Sequence, residues 1–98
     1  MKYRIEPSRQ VIDFTNNLHP DKRRKCKKAL VGLEDWKGDI LPLLRVMSGF
    51  YRLRVGNYRF IFTVRAGMVI DVVFVQERDV VYQLFEAMIL GGDLEPLT

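Results

Sequence analysis

The sequence predicts a single α+β domain in which helices cover one face of an antiparallel sheet. Three observations carry that reading. Gly56-Asn57 forms a two-residue turn signal between alternating runs rich in aromatic and branched residues. A further run at 69–76 follows a second turn signal at Ala66-Gly67, and two apolar stripes at helical spacing precede the whole meander. Ninety-eight residues, 48% of them hydrophobic, can bury one core without disulfides and leave no room for a second domain, so residues 1–98 read as one unit.

The elements follow in order. Residues 2–6 read as a short strand ended by Pro7, and Ser8 is placed to cap a helix in which Val11, Phe14 and Leu18 form the apolar stripe. His19-Pro20 breaks that helix. Pro20 suits the first turn of a second one, whose core side carries Cys26, Leu30, Leu33 and Trp36. Residues 37–49 are expected to be a long connection, with Ile40, Leu41, Leu43 and Leu44 lying over the core edge and Arg45 just after them. Strands are expected at 50–55, 58–64 and 69–76. If the second turn pairs Val64 with Val69, Arg59 lies opposite Phe74, and Gln76 and Arg78 join the face of Arg59. Asp79 then caps a helix running to about Leu90, Gly91-Gly92 stops it, and the tail from Asp93 is expected to fray.

The Gly56-Asn57 turn has a chemical consequence. It sets Val55 opposite Tyr58 and Arg54 opposite Arg59, with Arg52 on the same face. Like charges directly across a strand pair are destabilising, so a fold that places guanidinium groups there is expected to hold them for an anion, here a phosphate backbone. Tyr51, Leu53, Val55, Tyr58, Phe60 and Phe62 make the other face of the hairpin almost wholly apolar, so one face is expected to be core and the other cationic.

Composition limits the partners. A net charge of +4 favours a polyanion or an acidic protein. The lone Cys26 excludes an internal disulfide and a cysteine-rich metal site, and it reads as a small buried hydrophobe. A charged, alternating N-terminus argues against a secretory signal and no apolar run is long enough to span a membrane, so a cytoplasmic protein is expected.

The pattern Tyr51-Arg52-Leu53-Arg54-Val55-Gly56-Asn57-Tyr58-Arg59, followed by a hydrophobic strand and Arg78-Asp79-Val80-Val81-Tyr82, resembles the RelE/ParE superfamily of toxins from toxin–antitoxin pairs. The resemblance covers most of the chain. It implies an N-terminal strand and helical hairpin on an antiparallel sheet with a short C-terminal helix, a cognate antitoxin, and no metal or cofactor. RelE-type members cleave messenger RNA on the ribosome by metal-free attack of a ribose 2′-hydroxyl on the neighbouring phosphate; ParE-type members inhibit DNA gyrase. The expected function is therefore a ribosome-dependent endoribonuclease, with a gyrase inhibitor or a non-catalytic antitoxin-binding regulator as alternatives.

What the resemblance implies for individual residues is that Arg52, Arg54, Arg59 and Arg78 bind and polarise the scissile phosphate and that Tyr82 stands close to it. Arg45 and, on the second helix, Lys22, Arg23 and Lys27 are the residues expected to meet RNA. The chain departs from the pattern where many relatives carry a histidine immediately before the arginine that precedes the terminal tyrosine: here Glu77 precedes Arg78, and Gln76 stands where others have an extra arginine. His19 sits in the helix connection. A histidine acid/base is thereby absent from the sheet, leaving Glu77, Tyr82 or arginine electrostatics alone. Arginine keeps the charge of the lysines it replaces but cannot act as a base at neutral pH.

Overall fold

A computed structural model of the protein describes residues 2–78 and 80–92. The expected Asp79 cap and the tail 93–98 lie outside the described residues. The elements are β1 (Arg4–Pro7), α1 (Arg9–Asn16), α2 (Pro20–Gly32), β2 (Asp39–Pro42), β3 (Phe50–Val55), β4 (Tyr58–Arg65), β5 (Val69–Glu77) and α3 (Val81–Leu90), with 3-10 turns at Leu33–Asp35 and Arg45–Met47. Among the described residues one sheet forms, in the order β1-β5-β4-β3-β2. β1 runs parallel to β5 and the other pairs are antiparallel.

The helical hairpin forms for the reasons its sequence suggests. Ser8 is extended and its hydroxyl accepts from the Val11 N–H, and His19 caps α2 ahead of Pro20. Val11, Cys26, Leu33, Leu53, Val55, Phe60 and Phe62 are buried together, with Phe14, Leu18, Tyr51 and Tyr58 packed against them. The apolar side of the β3–β4 hairpin therefore faces α1 and α2, as expected. Trp36 lies beyond the end of α2, in a left-handed turn, and its ring meets Tyr3, Tyr51 and Phe62 edge-on or tilted.

Three expectations are corrected. The connection 37–49 contains the strand β2, which pairs Asp39 with Arg54 and Leu41 with Arg52. Gly38 makes this possible: its φ is +133°, and a Cβ there would stand 2.7 Å from Leu53 Cδ1 in the core. The second turn pairs Arg65 with Val69, not Val64 with Val69, and the register then shifts between Ile61 and Phe62, leaving Val73 as the extra residue of a bulge. Arg59 consequently opposes Gln76, not Phe74. The two one-residue differences add to a shift of two, which preserves the alternation, so Phe74 and Gln76 still share the arginine face.

That face is also not wholly cationic. α3 packs on it, and Val81 and Phe85 form a second buried cluster with Ile61 and Phe74, joined by Phe50, Met47 and Tyr82. Phe50 and Phe74 each lie against the Phe85 ring, at 5.0 and 6.1 Å between centroids. The sheet is covered by α1 and α2 on one side and over the middle of the other by α3.

Where β1 ends, side chains continue its pairing along β5. The Ser8 N–H donates to Val72 O at 2.8 Å and its hydroxyl to Val73 O at 3.0 Å. The Gln10 carboxamide donates to Val75 O at 2.7 Å and accepts from Val75 N at 2.9 Å, as a peptide group of a neighbouring strand would. At the far end of the arginine face, Arg65 contacts Asp71 at 2.8 and 3.1 Å and Glu6 at 2.5 Å, and Arg4 meets Glu6 at 3.0 Å. This network ties β1, β4 and β5 together.

Two outcomes are expected. Gln10→Ala strands both polar groups of Val75 and should cost about 1–3 kcal/mol, read from chemical denaturation. The Arg65 hydrogen bond holds the Asp71 carboxyl below its ordinary value, so the folded state takes up this proton later than the unfolded chain. The stabilisation by Asp71 is then complete above about pH 4, the unfolded value, and is lost as pH falls through the lower folded one. Melting temperatures of wild type and Asp71→Asn, separated at pH 7, should converge in acid.

Candidate functional site

The site is built at the tip of the β3–β4 hairpin. Gly56 adopts φ +58°, the conformation that a tight two-residue turn asks of its first residue. The register is the expected one: Val55 faces Tyr58, Arg54 faces Arg59, and Arg52 faces Ile61. The cationic end of the face thus begins at the tip, one row away from the cluster under α3.

Each arginine has its own environment. Arg52 lies at the boundary between the apolar and cationic ends, and its side chain is only 14% exposed. Its Nη1 reaches Asp39 Oδ1 at 3.3 Å and the Asp39 carbonyl at 3.4 Å. Arg54 is 56% exposed, with Nε 3.8 Å from Asp39 Oδ2. Arg59 bends back over the turn and its Nη1 donates to Gly56 O at 2.8 Å and Tyr58 O at 3.0 Å. The two opposed guanidinium groups therefore do not stand side by side as expected. Asp39 draws one toward β2 and the turn carbonyls hold the other, which relieves the repulsion the register creates. Arg78 follows β5 directly, and its N–H donates to Asn57 O at 2.8 Å, so its backbone is pinned beside the same turn.

The other expected residues divide by location. Tyr82 is half-buried in the cluster beneath α3, on the arginine side of the sheet. Arg45 is exposed in the 3-10 turn beside α3, at φ +61°. Lys22, Arg23 and Lys27 belong to α2, on the opposite face, and are not brought to the arginines. Lys22 Nζ stands 6.0 Å from the Tyr58 ring centroid, Arg23 donates to Asn16 O at 3.3 Å, and Lys27 lines a groove between the helices. Glu77 pairs with Tyr58 and so also lies away from Arg54 and Arg59. His19 serves as the cap of α2. Cys26 is buried, and burial pushes its thiol up despite the opposing pull of Lys25, which leaves little thiolate for chemistry.

Asp39 was not among the residues singled out in the sequence, since its role depends on the strand pairing of β2. Among the described residues no group of three or more histidine, cysteine, aspartate or glutamate side chains could hold a metal ion, and no helix is long and apolar enough to cross a membrane. What the arrangement can do chemically is bind an anion through guanidinium groups of which two, those of Arg52 and Arg54, already face the Asp39 carboxylate. On the helical side, a groove of about 520 Å³ opens between α1, α2 and β1, lined by Val11, Ile12, Leu30, Val31, Lys27 and Glu34 among others. Ile12 and Val31 are exposed there.

No protein-family model matches the sequence, and no curated protein does. Solved structures do match it. The chain is similar to the archaeal RelE–RelB complex of Pyrococcus horikoshii OT3, at 28% identity over 80% of this chain and 97% of that one, with a TM-score of 0.66. It is similar in fold to a mutant of the Escherichia coli toxin RelE in the free state, at 24% identity over 90% and 96% and a TM-score of 0.67. The RelB–RelE antitoxin–toxin complex of Methanococcus jannaschii matches at 22% identity over 82% and 98%, with a TM-score of 0.63.

The environments of Arg52 and Arg54 predict different costs of truncation. Arg52→Ala removes a largely buried stem and should lower stability by about 1 kcal/mol, whereas Arg54→Ala should stay within about 0.5 kcal/mol of wild type, both read by urea denaturation.

Proposed function

The chain is a member of the RelE/ParE toxin superfamily, and on that premise we propose that it is the toxin of a toxin–antitoxin pair that acts as a ribosome-dependent messenger RNA endoribonuclease. The observation that carries this reading is the placement of Arg52, Arg54 and Arg59 on one uncovered face of the hairpin near its tip, with the backbone of Arg78 bonded to the same turn. In the reaction a ribose 2′-hydroxyl attacks the adjacent phosphate, the 5′-oxygen leaves, and a 2′,3′-cyclic phosphate forms. Charge builds on the non-bridging oxygens. Prepositioned guanidinium groups stabilise it without a proton of their own to lose. Tyr82, on the same side of the sheet, is the proton-transfer candidate, since Glu77 faces the other way.

The antitoxin is assigned to the helical side. The groove between α1 and α2 presents the exposed Ile12 and Val31, with Lys27 and Glu34 also in its lining, which suits an amphipathic segment. RNA and antitoxin then use opposite faces. A second reading, a gyrase inhibitor, is favoured by one observation: the sheet carries no histidine.

Inducing the gene alone tests both readings. Growth should stop and new 5′ ends should appear within cellular transcripts. Arg54→Ala or Arg59→Ala should reduce cleavage about 10²–10³-fold, the usual cost of losing one donor to developing charge, while antitoxin binding persists. Intact transcripts with trapped gyrase–DNA cleavage products would select the second reading.

A further inference from the structure

We infer that Asp39 is a built-in counter-anion of the arginine site, occupying the position that an RNA phosphate takes and limiting the affinity for that phosphate until it is displaced. The inference rests on the reading of this face as a phosphate-binding surface and deepens it by naming a residue that governs binding there.

Asp39 is placed with care. The β2–β3 register sets it directly across from Arg54, and Leu41, its neighbour on the same face, across from Arg52. Gly38 fixes the approach, because its positive φ and its closeness to Leu53 leave no room for a side chain. The two carboxylate oxygens then face different guanidinium groups, Oδ1 toward Arg52 and Oδ2 toward Arg54. One planar anion bridging two arginines through separate oxygens is how two non-bridging oxygens of a phosphodiester would sit.

A second arginine–aspartate contact on the same face shows why the first is exchangeable. Arg65 grips Asp71 through two hydrogen bonds at 2.8 and 3.1 Å, and the Asp71 side chain is 21% exposed. Asp39 keeps 3.3 and 3.8 Å from its arginines and is 50% exposed. Charge-assisted bonds of full strength run about 2.7–2.9 Å. The Asp71 contact is closed and structural. The Asp39 contact is open: both its distances are long, and a half-exposed carboxylate can rotate into water when another anion arrives. Its pair with Arg54 is exposed on both sides, and such pairs hold so weakly that a phosphate, with its own two oxygens, competes on even terms.

The consequence is a gain of function on removing a charge, which no purely structural role would give. The test uses the purified full chain and a single-stranded RNA analogue with 2′-deoxy sugars, which cannot be cleaved, followed by fluorescence anisotropy across a salt series. Asp39→Asn should bind about fivefold tighter, the effect of lifting one nearby charge at a solvated surface. Its plot of log affinity against log salt should steepen by about 0.7, because one further cation is released to the phosphates. Asp39→Ser, which also removes the charge, should reproduce both changes. Equal or weaker binding by both variants, at unchanged melting temperature, overturns the inference. Arg54→Ala separates the two levels of the argument. If it weakens binding while the Asp39 variants behave as wild type, only the counter-anion role fails. If neither wild type nor Asp39→Asn binds, or Arg54→Ala binds as well as wild type, the phosphate-binding reading fails and takes this one with it.

Discussion

The two-residue turn at Gly56-Asn57 is the constraint from which the rest of the molecule follows. With the register set at Arg54 opposite Arg59, Tyr51, Leu53, Val55, Tyr58, Phe60 and Phe62 must all face one way and Arg52, Arg54 and Arg59 the other. A slip of one residue would turn three guanidinium groups into the core against α1 and α2, a cost no local contact could offset. The hydrophobic pattern and the turn thus specify the same arrangement. The cationic surface is a by-product of a register that the core enforces.

The electrostatics of the arginine face are graded along the sheet. At one end, Arg4, Glu6, Arg65 and Asp71 form a closed network. The middle is dry, filled by Ile61, Phe74 and the underside of α3. At the hairpin tip, Arg52 and Arg54 share the Asp39 carboxylate and Arg59 rests on the turn carbonyls. The apolar middle matters to the tip, because Arg52 lies along its margin and keeps little freedom. Cations held by packing need less ordering when an anion arrives than cations on free stems.

Much of this architecture was legible in the sequence, and what was not has physical causes. The hairpin, the Ser8 cap and the stripe of Val11, Phe14 and Leu18 are local patterns, each specified by residues a few positions apart. Gly38, Asp39, Pro42 and Ser48-Gly49 mark 37–49 as a connection in the sequence, and the strand character of β2 comes only from its pairing with β3. The bulge at Val73 has no glycine to announce it. Placement of α3 on the second face was hidden because its own apolar residues do not say which surface they meet. In the candidate site, the turn and the alternation together put Arg52, Arg54 and Arg59 on one face. Asp39 could not be placed with them in this way, since its relation to them exists only through the β2–β3 pairing. The basic run on α2 shows the opposite limit: charge is visible in a sequence, and the face it lands on is not.

The Gln10 amide carries one more implication. By standing in for a peptide bond against Val75, it occupies the backbone of β5 just past the end of β1. A visiting strand that would pair with β5 at that point finds Val75 already taken. Contact there proceeds through the shapes and charges of side chains, which discriminate between visitors, and not through main-chain bonding, which does not.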